Sequence, residues 1–138
     1  LPDGGSFLIT DTVGFIHKLP TSIVAAFRAT LEEISAANLL LHIVDITHKG
    51  AANQCRMVEE TLGNLNCEHT PVLMVLNKID LVLDSEAEVN SLAATPFSWR
   101  NLMLPDRDTV MISAARGWGI KNLLDKIASR LIIPDGDK

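Results

Sequence analysis

Apolar residues are distributed along this chain in two ways: short unbroken runs, and longer segments in which they recur every third or fourth position. The runs Phe7-Leu8-Ile9, Leu39–Ile46, Pro71–Leu76 and Thr109–Ile112 are of the first kind and predict strands. Leu39–Ile46 is almost continuously apolar, which predicts a central parallel strand covered on both faces. Thr21–Ala37 is of the second kind, with Ile23, Phe27, Leu31 and Ile34 on one helical face and Pro20 just before its start. Ala51–Leu65 predicts a helix with Val58, Leu62 and Leu65 inward and Asn66 near its exit. Gly119–Ile132 predicts a last helix with Ile120, Leu124, Ile127 and Leu131 inward. Ser85-Glu86-Ala87-Glu88 has the spacing of a capping box and opens a short helix. Thr95–Asp108, with Pro96 and Pro105, reads as an irregular surface insertion. Strands alternating with helices predict an α/β fold, a parallel sheet with flanking helices.

The candidate chemistry lies where predicted strands end. In open α/β sheets, ligands bind beyond the carboxyl ends of the strands. Asn77-Lys78-Ile79-Asp80 follows the run ending at Leu76 and reads as a guanine-binding loop. The Asp80 carboxylate can accept two parallel hydrogen bonds, from the ring N–H and the exocyclic amine of guanine. Adenine offers neither donor on that edge and would leave the carboxylate unpaired, a mismatch that can reject an analogue by roughly 10⁴-fold or more. Asn77 can bond the opposite side of the base, and the Lys78 methylenes can lie along the ring. Asp11-Thr12-Val13-Gly14 follows Phe7–Ile9 and suits a triphosphate: the acid holds Mg²⁺ through a water and the glycine N–H meets the terminal phosphate. Ser113-Ala114-Ala115 follows the Thr109–Ile112 strand. Its small residues would let a backbone N–H reach guanine O6, while the Ser113 hydroxyl braces the Asp80 loop. Each motif alone also describes an ordinary turn. The three in this order, each at a strand end, predict a guanine-nucleotide domain.

Beyond these motifs, Asp11-Thr-Val-Gly-Phe-Ile16, Leu19-Pro20, Ala25-Ala-Phe27, Thr30-Leu-Glu-Glu33 and Leu39-Leu-Leu-His-Ile-Val-Asp45 resemble the HflX family of ribosome-associated GTPases. The resemblance runs from about Phe7 to Leu131. It implies a partial Ras-like P-loop GTPase fold in three α/β/α layers over residues 1–133, with 134–138 as a solvated tail. It further implies GTP hydrolysis to GDP and phosphate, Mg²⁺ as cofactor, and the large ribosomal subunit as partner. By the same resemblance Asp11 and Gly14 are the catalytic candidates, and Asp11, Thr12, Val13, Gly14, Asn77, Lys78, Ile79, Asp80, Ser113, Ala114 and Ala115 form the nucleotide site. In the family, a strand carrying the phosphate loop lies between the strand ending at Thr10 and the strand ending at Asp45.

A phosphate-cradling loop of the form G-x-x-x-x-G-K-[ST] does not occur here, and no Gly-Lys dipeptide is found in the 138 residues. Residue 1 is leucine. The expectation is therefore the C-terminal part of a GTPase domain, holding the base-reading half of the site and one part of the phosphate half. The length allows one domain, and 47% hydrophobic residues can bury a sizeable core. A net charge of −5 argues against a broad nucleic-acid-binding face, hence against DNA as a partner. No apolar run reaches the roughly 18–20 residues that span a bilayer, so no membrane role and a cytoplasmic location, or an organellar stroma or matrix, are expected. Cys55 and Cys67 lack metal spacing and read as free thiols.

Phe15 stands where Ras-like enzymes carry the water-orienting glutamine, and its ring cannot make that hydrogen bond. A partner or another group must then order the water, or the protein is a non-hydrolysing module that senses guanine nucleotide. His17, Lys18 and Arg28 read as solvated surface, His42 as a core residue, and Asp45 as a structural turn residue. Trp118 between its two glycines reads as a partly exposed aromatic beside the base pocket, and Trp99, in the insertion, as packing onto the sheet's helices rather than anchoring a partner. A phosphoacceptor receiver domain would need clustered acids at its first strand and a lysine at its last, which this order of motifs does not supply.

Overall fold

The computed structural model describes residues 1–11, 32–64, 67, 69–91 and 108–131. Within them three strands pair in parallel: β1 (Leu40–Asp45), β2 (Val72–Asn77) and β3 (Asp108–Met111), in the order β1-β2-β3. Leu40 pairs with Val72 and Asp45 with Asn77; Leu73 pairs with Asp108 and Leu76 with Met111. Parallel neighbours need a long crossover. Helix α1 (Ala51–Asn64) lies in the one from β1 to β2, and the short α2 (Glu86–Ser91) in the one from β2 to β3. Helix α3 (Ile120–Leu131) follows β3.

Val72–Leu76 are all buried, because β2 is flanked by a strand on each side and covered on both faces. Side chains alternate between faces along a strand, and that alternation sorts the core into two layers. Met74 and Leu76 pack with Val44, Ala51 and Cys55 on the α1 face. Leu73 and Val75 pack with Val110, Ile112 and Ile127 on the α3 face. A third cluster, Ile34, Leu62, Cys67 and Val72, extends the α1 side. Each fully buried aliphatic side chain here contributes about 1.5–3 kcal/mol. Both cysteines are buried and free, as expected from their spacing. Helices on both faces of the parallel sheet give the three α/β/α layers that the alternation of elements implies.

Several sequence expectations are corrected. Phe7–Ile9 does not form a strand; Phe7 leans on the α3-side core while Leu8 and Ile9 are largely exposed. A strand needs an adjacent edge for its ladder, and residues 6–11 face β1 across a groove instead of pairing with it. β1 is consequently an edge strand among the described residues, not a central one, and Ile43 is 52% exposed on it. His42 is half-buried rather than fully in the core. Asp108, expected in the insertion, is the first residue of β3, held by Lys126 at 2.5 Å and Arg130 at 3.1 Å from α3. In α3, Leu123 rather than Leu124 packs on the core beside Ile120, Ile127 and Leu131. The helix expected over Thr21–Ala37 is seen only at its end, where residues 32–36 are helical and Ile34 is buried. Thr12, Val13, Gly14, Phe15, His17, Lys18, Arg28, Leu65, Asn66, Trp99, most of the insertion and the tail lie outside the described residues.

Candidate nucleotide site

β1 and β2 end side by side, and β3 ends on the far side of β2, so the turns leaving all three share one edge of the sheet. Asn77 is the last residue of β2, and its side-chain oxygen accepts two main-chain N–H groups: Lys78 at 2.8 Å and Ala114 at 3.0 Å. Two donors converging on one atom identify it as the amide oxygen rather than the nitrogen. Asn77 thus ties together the two loops that the sequence assigned to the base. With its oxygen committed, the amide nitrogen is the donor Asn77 can offer a ligand.

Lys78 is in the left-handed region, φ 68° and ψ 30°, and is the one non-glycine residue with positive φ among those described. A backbone turned this way costs about 1–2 kcal/mol for an L-residue and persists only where surroundings hold it. Three contacts do so. Ile79 is fully buried and anchors the turn in the core. Its N–H donates to the Ile112 carbonyl at 3.3 Å. The Lys78 ammonium meets Asp45 Oδ2 at 2.6 Å. Asp80 follows in the 3₁₀ turn Ile79–Leu81, half-buried, with its carboxylate one residue beyond that anchor.

Ser113 behaves differently from expectation. Its hydroxyl accepts the Arg116 N–H at 3.1 Å and closes its own turn, while the bracing of the Asp80 loop is done by the Ile112 main chain. Ser113 is fully buried, and its main chain pairs with Trp118 through bonds of 3.0 and 3.1 Å. Ala114 and Ala115 sit exposed on the resulting turn. The Ala114 N–H, expected to meet guanine O6, is engaged by Asn77, so a base there would share or displace that bond. Trp118 is half-exposed beside this turn, as anticipated. Gly117 and Gly119 flank it with φ of 74° and 71°.

Asp45 and Glu86 complete the frame, and no nucleotide motif names either of them. Asp45 Oδ1 accepts the Thr47 N–H at 2.9 Å and the Thr47 hydroxyl at 2.7 Å, which confirms its turn role. The Lys78 ammonium first, then the Thr47 hydroxyl, hold the Asp45 carboxyl at about 2, below its ordinary 3.8. Glu86 Oε1 accepts the Gly119 N–H at 3.1 Å and ties the start of α2 to the turn after β3. In the expected capping box, Ser85 Oγ and Glu88 Oε1 are 3.5 Å apart, a long contact. The sequence signals for these roles were slight: an acid closing an apolar strand, and an acid at the first position of a short helix.

Asp11 is exposed and lines the groove between residues 6–11 and β1. Among the described residues no three acidic, histidine or cysteine side chains cluster to hold a metal. A single exposed carboxylate suits Mg²⁺ held through water, where nucleotide phosphates supply most ligands.

A family described as "50S ribosome-binding GTPase" matches residues 2–78. The chain is 39% identical over 127 residues to the GTPase HflX of Magnetococcus marinus, covering 92% of this chain and 27% of that protein. It is 36% identical over 129 residues to the GTPase HflX of Escherichia coli strain K12, covering 94% of this chain and 28% of that one. A solved GTP-binding protein from the archaeon Sulfolobus solfataricus, in complex with GDP, superposes with a TM-score of 0.64 at 28% identity, over 87% of this chain and 39% of its own. The chain thus spans about a quarter of the length of these two HflX relatives.

Proposed function

The chain belongs to the family of 50S ribosome-binding GTPases, as a fragment of HflX type, and from that premise we propose that it is the base-reading part of an enzyme hydrolysing GTP to GDP and phosphate on the large ribosomal subunit. The observation that carries this reading is the pair of hydrogen bonds accepted by Asn77 Oδ1 from the Lys78 and Ala114 N–H groups, which joins the loops after β2 and β3 into one frame with Asp80 beside it. In that frame Asp80 accepts the two donors of guanine's Watson–Crick edge. Asn77 offers its amide nitrogen to the other side of the base, and the Lys78 stem covers one face. Ile79 reads nothing itself; its burial anchors the loop in the core. Ser113 and Ala115 shape the turn that presents Ala114.

On the phosphate side this chain offers Asp11 and Gly14. The groove between residues 6–11 and β1 has a volume of about 1600 Å³, larger than the roughly 300–1,000 Å³ of a small-molecule pocket. It lies where the resemblance places the strand leading into the phosphate loop, and it supports the view that a further segment completes the sheet. Asp11, through a water, and the Gly14 N–H would serve Mg²⁺ and the terminal phosphate. Bound Mg²⁺ would supply charge neutralisation on the phosphate oxygens. Thr12 and Val13 connect those two groups. Phe15 leaves the attacking water without a side-chain partner, so basal hydrolysis is slow and the ribosomal subunit accelerates it. A cytoplasmic or organellar interior location goes with a ribosomal partner, and no described helix is long and apolar enough to cross a membrane.

The test is nucleotide choice together with turnover in the full-length protein. Wild type should bind GDP over ADP, and Asp80→Asn should lose GDP and gain xanthosine diphosphate, because the amide donor matches xanthine's carbonyl. Phosphate release should be slow alone and rise on large subunits. GDP affinity unchanged by Asp80→Asn would sink the base-reading assignment. Binding without phosphate release under both conditions would favour the nucleotide-sensing module that Phe15 allows.

A further inference from the structure

Asp45 closes β1, and in the parallel register it stands directly beside Asn77. The ladder continues one step further, with the Ile46 N–H donating to the Asn77 carbonyl at 3.3 Å. This places the Asp45 carboxylate at the level where the base-reading loop leaves the sheet. Thr47 orients that carboxylate from behind, its N–H and hydroxyl both held on Oδ1. Oδ2 is then directed at one partner, the Lys78 ammonium at 2.6 Å.

We propose that Asp45 is a positioning residue for guanine-nucleotide binding, fixing Lys78 by its ammonium so that the lysine stem and the left-handed turn are set before the base arrives. This rests on the reading of Asn77–Asp80 as the base loop. A lysine side chain is among the most costly in rotamer entropy to order. If its methylenes cover a base face, holding the tip in advance removes that cost from the binding step. The same contact supports the backbone of Lys78, whose left-handed conformation otherwise disfavours the turn. The pair is half-exposed, with 50% of the Lys78 side chain and 34% of the Asp45 side chain accessible. Exposed pairs contribute little to global stability, so the effect belongs in affinity rather than in folding.

The experiment measures release of fluorescently labelled GDP from the full-length protein, beside the thermal midpoint of the nucleotide-free form. Asp45→Asn should accelerate release about two- to fivefold, the range of an exposed ion pair, with the midpoint unchanged. In a Lys78→Met background the same substitution should have no further effect, because its partner is gone. Thr47→Val, which leaves both charges but removes the hydroxyl that aims the carboxylate, should accelerate release by a smaller factor, and it decides the matter if Lys78→Met binds too weakly to read. Release unchanged or slowed in both Asp45→Asn and Thr47→Val overturns the proposal; slowing would mean that Asp45 holds the lysine away from the nucleotide. Acceleration matched by a fall in the nucleotide-free midpoint overturns it too, since Asp45 would then serve the fold alone. A wild-type protein that does not prefer GDP to ADP would instead remove the base-loop reading beneath it.

Discussion

Gly117 and Gly119 allow a controlled measurement of what a close backbone approach contributes to this site. Both have positive φ, 74° and 71°. Alanine at either therefore incurs about 1–2 kcal/mol for a left-handed L-residue. Their surroundings differ. A Cβ at Gly117 meets nothing within 4 Å, whereas at Gly119 it would sink into the Met111 carbonyl oxygen and come within 3.4 Å of Ile112 Cα. The obstacle is backbone at the end of β3, which cannot rotate away as a side chain would. Overpacking of this kind costs a further ~1–3 kcal/mol. Gly119→Ala should thus lower unfolding free energy by about 1–3 kcal/mol more than Gly117→Ala in denaturant titrations of the full-length protein. The displaced segment carries the Ile112 N–H bond to Leu76 at 2.8 Å and accepts the Ile79 N–H at 3.3 Å. Gly119→Ala should therefore also accelerate GDP release, while Gly117→Ala leaves it within about twofold. Equal destabilisation by the two substitutions would refute the close approach, and with it the coupling of the turn after β3 to the base loop.

Acid should weaken the frame through Asp45. Its folded value, about 2, lies below the ordinary 3.8, so its contribution is fully present above about pH 4 and is lost as pH falls towards 2. Because Asp45 acts on nucleotide hold, GDP release should quicken in acid for wild type and less so for Asp45→Asn. Asp108, lowered chiefly by Lys126, acts on the fold in the same direction, so Asp108→Asn should flatten the acid limb of a stability-versus-pH profile, and an unchanged limb would refute its share. The 138-residue chain studied alone should self-associate, because the outer edge of β1 is unpaired among the described residues and Leu8 and Ile9 are 92% and 65% exposed. Sedimentation showing a monomer that unfolds cooperatively with about 5 kcal/mol or more would contradict this.

The run Val72–Leu76 was legible as a strand because a strand buried on both faces must be apolar at consecutive positions, and few other local structures demand that. α1 and α3 were legible for the corresponding reason, an apolar stripe at helical period, though the choice of Leu123 over Leu124 depended on how α3 lies against the sheet. Asn77 and Asp80 suggested a base loop because their side chains match a donor or acceptor of guanine, a reading that rests on residue chemistry alone. What the sequence by itself determined is therefore local: which segments bury a face, and which side chains have the right chemistry at a strand end. Tertiary structure alone decided the rest. Asp45 meets Lys78 across 33 residues only because β1 and β2 pair in one register. Asn77 reaches Ala114 across 37 residues because β3 lies on the other side of β2. The same apolar pattern made Phe7–Ile9 look like a strand, yet a strand also requires a neighbouring edge to complete its hydrogen bonds. Such partners are set by the packing of distant segments, which composition and periodicity within one segment do not encode.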